Sequence, residues 1–111
     1  MKFRVEREVL AEALGAAARV ASTRHNAMPA LSGVRIEVTG DQLLLSCTDN
    51  DLSVQIVLNV GGQEDGVVVA SAKLMSDIVR SMSEGKVTVE TTGETVSVSS
   101  GRAQFTVPTF A

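Results

Sequence analysis

A chain of 111 residues, 44% hydrophobic and 21% charged, is long enough for one globular domain and too apolar to be disordered. Its net charge of −3 excludes a domain that grips nucleic acid by bulk positive charge, so any basic site must be local. One cysteine, Cys47, excludes an internal disulfide, and with three Phe but no Tyr or Trp the core must be aliphatic.

"MKFRVE" alternates Met1, Phe3 and Val5 with Lys2, Arg4 and Glu6, which predicts a strand with one buried face. Residues 7–22, "REVLAEALGAAARVAS", place Leu10, Ala13, Leu14, Ala17, Val20 and Ala21 in one stripe at helical spacing. Glu8 near its start and Arg19 near its end both suit the helix dipole. Gly15 among alanines points to close packing on a neighbour, or to simple tolerance. "STRHNAMP" reads as a polar loop. Three strands follow in "LSGVRIEVT", "LLLSC" and "LSVQIVLNV", separated by turns at "TGDQ" and "TDND". "GGQEDG" reads as a loop.

The second half repeats the order of elements but not the sequence. "VVVA" is a strand and residues 71–82, "SAKLMSDIVRSM", a helix with Ser71 as N-cap and Gly85 beyond its end. Lys73 and Arg80, seven apart, share one side of that helix; Leu74, Ile78 and Met82, four apart, share another. "KVTVET", "TVSVSS" and "RAQFTVP" close the chain as three strands joined by turns at "TGE" and "SG". Two βαβββ halves place the chain in the α+β class, with sheets curved over two helices.

Catalytic chemistry is poorly represented. His25 has no second histidine at metal spacing, Cys47 sits in an apolar strand, and "DND" lacks the remainder of a cation loop. "GGQEDG" contains no phosphate-cradle pattern, and no nucleophile–base set or carboxylate pair emerges. A binding or scaffolding role is expected, with no enzyme activity, metal or cofactor. No run approaches the roughly 20 apolar residues of a membrane span. "MKFRVEREVL" lacks a signal-peptide core, so a cytoplasmic protein is expected. The basic residues on or just after the two helices, Arg19, Arg24, Lys73 and Arg80, are the remaining clue. Their plain reading is a solvated face with ion pairs such as Lys73–Asp77.

Five stretches, taken in order, resemble one family. "MKFRVEREVLAEAL", "TRHNAMPALSGVRIEV", "LSCTDNDLSVQI", "SAKLMSDIVRSMSEGKVTVE" and "SGRAQFTVPTF" are similar to the first domain of the bacterial DNA sliding clamp, the β subunit of the DNA polymerase III holoenzyme. Residues 1–111 then correspond to the N-terminal domain, and two further domains are absent from this chain. The resemblance implies a head-to-tail homodimer ring of six like domains, sheets outside and helices lining a hole for duplex DNA. That ring is a non-catalytic processivity factor, placed on DNA by a clamp loader and tethering DNA polymerase III. By family position Arg24, Arg80 and Lys73 match DNA-facing residues; Arg19 joins them by its helix face. Leu74 and Glu12 stand where a relative carries basic residues. The last strand, with Arg102, Gln104, Phe105 and Val107, matches the edge that meets the third domain of the other subunit. A plain edge strand with Phe105 in the domain's own core is the other reading. A small module that pairs edge strands without touching DNA is the alternative function.

Overall fold

The computed structural model describes residues 1–21, 33–48, 53–83 and 85–110. Eleven elements follow one another: β1 (Lys2–Glu6), α1 (Arg7–Ala21), β2 (Gly33–Thr39), β3 (Gln42–Thr48), β4 (Ser53–Asn59), β5 (Gly61–Glu64), β6 (Gly66–Ser71), α2 (Ala72–Ser81), β7 (Lys86–Thr92), β8 (Thr95–Ser100) and β9 (Ala103–Pro108). The two βαβββ halves are present, and they exchange their first strands. One sheet runs β4-β3-β2-β6 and the other β5-β1-β7-β8-β9, so β6 completes the first half's sheet and β1 the second's. Every strand pairing among the described residues is antiparallel. Neither half can close its sheet without the other, which makes the chain one folding unit.

The alternation in the strands sets which faces are covered. In β2, Val34, Ile36 and Val38 are buried while Arg35 faces solvent; β7 and β8 bury Val87, Val89, Val96 and Val98 in the same way. Phe3 is the one aromatic in a core of Leu, Val, Ile, Ala and Met. From α1, Leu10, Ala13, Leu14 and Ala17 enter that core as their spacing requires. In α2 the covered face is Ala72, Met75, Ser76 and Val79, joined by Met82 beyond the helix end. Leu74 is 47% exposed and Ile78 only partly covered, so the spacing of four that groups them with Met82 follows the flank of the helix. The apolar residues of α2 form one broad arc, and tertiary packing decides which part of it is covered.

"GGQE" forms strand β5 on the free side of β1, where a loop was expected. Its composition hides it, because the strand exists to pass close to the β2–β3 turn. A Cβ at Gly62 would overlap the Gly40 carbonyl oxygen. Two carboxylates fasten the crossing: Gly62 N donates to Asp41 Oδ1 at 3.1 Å, and Gly40 N to Asp65 Oδ1 at 2.8 Å. Gly40 itself takes φ of +60° in that turn, a conformation glycine adopts without strain.

Both helix ends of α2 are closed. Ser71 Oγ accepts from Leu74 N at 3.2 Å, the expected N-cap. At the other end Arg7 reaches over from the start of α1: Nη2 donates to Arg80 O at 2.6 Å and Nε to Val79 O at 3.3 Å. Arg7 N donates to Gly85 O at 2.7 Å. One residue thus binds the first turn of α1 to the last turn of α2 and places a cation at that helix's negative end.

Candidate nucleic-acid interface

α1 and α2 lie against each other on one side of the sheets, and the shallow groove between them, about 250 Å³, is the candidate site. Gly15, Ala18 and Arg19 line it from α1; Lys73, Ser76, Asp77 and Arg80 from α2. Three of the four residues expected to face DNA therefore meet in one place, although Arg19 is more than fifty residues from Lys73 and Arg80 in sequence. The fourth, Arg24, lies outside the described residues, as do His25 and the turn expected at Asp49, Asn50 and Asp51. Helical geometry explains the convergence: Lys73, Ser76, Asp77 and Arg80 are spaced three and four apart, so all present to the same side. Lys73 Nζ sits 3.1 Å from Asp77 Oδ2, with 81% of the lysine side chain exposed. Such a pair contributes little to stability and leaves the lysine mobile.

Many carboxylates lie elsewhere. Glu37 pairs with Arg35 at 3.0 Å on β2 and Glu90 with Lys2 at 3.6 Å between β7 and β1. Glu64 holds the Met1 amino group at 3.1 Å, and Asp41 and Asp65 serve the β2–β5 crossing. The helix groove carries three cations against one carboxylate in a chain of net negative charge.

The edge residues divide. Among the described residues β9 pairs only with β8, with one isolated bridge from Thr109 to Ala70 just beyond its end, so its outer backbone is open. Gln104 is exposed and its Nε2 donates to Ser97 Oγ at 3.0 Å; Arg102, in the turn before β9, is exposed. Phe105 is 39% exposed and is not in the domain's own core, whereas Val107 is buried there at 2%. The Val107 side chain is already covered, and only its backbone is offered to a neighbour. Sequence alternation puts both on one face but does not say which one the core covers. At the opposite end of the domain, Val9, Glu12, Ala13, Ala16, Ile56 and Leu58 line a second groove of about 290 Å³ beside the open edge of β4. Sequence reasoning did not single out that end, nor Ser76, whose only signal is a hydroxyl at a core-facing position of α2.

Cys47 is buried on β3. Among the described residues no cluster of His, Cys, Asp and Glu could hold a metal ion, and no helix is long and apolar enough to cross a membrane.

Two helices side by side on two strand-exchanged antiparallel sheets define a DNA-clamp domain of the α+β class. The solved pol III beta of Caulobacter crescentus superposes with a TM-score of 0.93 at 29% identity, covering 100% of this chain and 30% of that one. The chain belongs to the DNA polymerase III beta subunit family: the family's N-terminal domain matches residues 1–111. It is similar to the beta sliding clamp of Streptomyces coelicolor, 38% identical over 109 residues, which is 98% of this chain and 29% of that protein. It is also similar to that of Micrococcus luteus, 35% identical over 98% of this chain and 35% of the relative. The chain thus spans about a third of the length of the relatives it matches.

Proposed function

We propose that residues 1–111 act as the first of three like domains in each subunit of a two-subunit ring around duplex DNA. The ring is a non-catalytic, cytoplasmic processivity factor that a clamp loader closes on DNA and that tethers DNA polymerase III. The observation that carries this reading is the meeting of Arg19, Lys73 and Arg80 along one helix groove, in a chain whose full length matches the family. By family position Arg24 is a further DNA-facing residue. Few cations per domain suit the task. Phosphate contacts are sequence-independent and salt-sensitive, so a thin positive lining steadies the duplex without stopping it. Retention comes from closure of the ring, which is compatible with a net charge of −3.

The two ends of the domain take its neighbours. The β9 end offers an open backbone edge with Arg102, Gln104 and half-exposed Phe105. It meets the third domain of the other subunit. The β4 end offers the second open edge with Val9, Ile56 and Leu58, and meets the second domain of the same subunit. Sheet continuation supplies the backbone bonds at each joint and the apolar residues supply packing.

The test uses the full-length subunit. Reversing Arg19, Lys73 and Arg80 together to Glu should leave the dimer intact by light scattering and sharply reduce loader-dependent loading on DNA. Loading and residence equal to the unaltered clamp would remove these residues from the interface.

A further inference from the structure

Two residues of the helix pair are less stable choices than alanine, and both line the same groove. Ser76 is 2% exposed on α2, and its Oγ has no hydrogen-bond partner. A buried hydroxyl without a partner destabilises the fold. Alanine would remove it and favour the helix. Gly15 sits inside α1, where glycine weakens a helix. A Cβ there would meet nothing nearer than Arg19 Nη1 at 3.8 Å, an ordinary contact. Gly15 is therefore not required by close packing, and of its two sequence readings the tolerant one fits. What it leaves is space at the groove.

The polar groups around that space have one character. Arg19, Lys73, Arg80 and the Ser76 hydroxyl are donors; Asp77 is the one carboxylate, and it holds Lys73. Donors on both walls suit a compact anion with acceptor oxygens on several sides. We propose that the groove between α1 and α2 seats one phosphate group, with Ser76 Oγ as a hydrogen-bond donor to it and Gly15 leaving it room. Rotation about the single Ser76 χ1 bond turns the hydroxyl from beneath the surface towards the anion. Asp77 keeps the seat weak, which suits a phosphate that must leave as readily as it arrives. Where the phosphate belongs to a duplex backbone, the proposal rests on the DNA reading above; free orthophosphate is the other source of the same chemistry.

The 111-residue chain, labelled with nitrogen-15 at low ionic strength, provides the test. Amide shifts of Gly15, Ala18, Ser76 and Asp77 are followed while orthophosphate, and separately a short duplex, is added. Both ligands should move these amides. Ser76→Ala should raise the melting temperature while weakening both titrations by about two- to tenfold, the value of one hydrogen bond. Gly15→Leu should abolish them. Because Ser76→Ala stabilises the chain, its loss of binding cannot be misfolding. If the duplex moves Arg19, Lys73 and Arg80 but not Gly15 or Ser76, or if Ser76→Ala titrates as the unaltered chain does, the seat is refuted and the DNA reading survives. If orthophosphate alone moves the groove, the seat stands for free phosphate and the DNA reading loses support. Silence with both ligands refutes the seat and leaves the DNA reading, which rests on ring closure, to the loading test.

Discussion

Arg7→Met tests the brace between the two helices. The substitution keeps an aliphatic stem and deletes the guanidinium that donates to Arg80 O at 2.6 Å and Val79 O at 3.3 Å. Each bond contributes about 1 kcal/mol net, after discounting for the solvent beside Arg80 O. The lost cation at the end of α2 adds about 0.3–1 kcal/mol. The expected destabilisation is about 2–3 kcal/mol. At roughly 4 °C per kcal/mol for a chain of this size, the melting temperature falls by about 8–12 °C. Arg7→Lys keeps the charge but not the fork, so it should lose about half as much. Chemical denaturation gives the free energy, and amide exchange should localise the loss to the last turn of α2. A melting temperature within about 2 °C of the parent, with exchange unchanged there, would refute the brace, because each lost bond should cost about 1 kcal/mol.

Gly62→Ala forces a methyl into the Gly40 carbonyl, a backbone atom that cannot step aside, and should destabilise by more than about 2 kcal/mol with β5 amides losing protection; an unchanged melt would mean the β5 crossing is placed wrongly. Val107→Thr keeps the shape but buries an unpaired hydroxyl and should cost about 1–3 kcal/mol in the isolated chain. Phe105→Lys should be milder there, since the ring is already half in water and a lysine stem covers similar surface, yet should push the full-length subunit from dimer to monomer. Equal effects of the two on the isolated chain would erase the distinction between core and edge. With both domain ends open, the isolated chain should run as a monomer or weak self-associate by light scattering and bind duplex negligibly at physiological salt; a stable ring-sized oligomer or sub-micromolar DNA affinity would contradict that.

Most of the order of elements was legible because most strands alternate or form short apolar runs and each helix carries a stripe, and such patterns are local. What pairs with what was not. β1 finds β7 more than eighty residues away, and the exchange of first strands between halves leaves no mark on either strand's own pattern. β5 was hidden because its glycines answer to a crossing chain and not to a pleat. In α2 the apolar residues Leu74, Met75, Ile78, Val79 and Met82 form one arc of roughly 140°, and spacing alone does not say that the core takes its Met75–Val79 side and leaves Leu74 in solvent. The candidate site was half legible. Seven-residue spacing joined Lys73 to Arg80, but only the packing of α1 on α2 brings Arg19 to them. Family resemblance supplied the DNA itself, which a net negative chain would not suggest. Ser76 carries no motif, and Gly15, conspicuous among alanines, has no partner in the sequence; they join only when an unsatisfied hydroxyl and an uncrowded glycine are found in one groove.

Topology, not affinity, is the central claim, and linearisation tests it most directly. The full-length subunit is loaded by its loader onto nicked circular DNA, the complex is isolated, and the circle is cut once with a restriction enzyme. Release of the clamp on cutting, with retention on uncut circles, is the predicted result and gives Arg19, Lys73 and Arg80 a channel to line. A clamp that stays on the linear DNA is held by affinity, which would contradict the account.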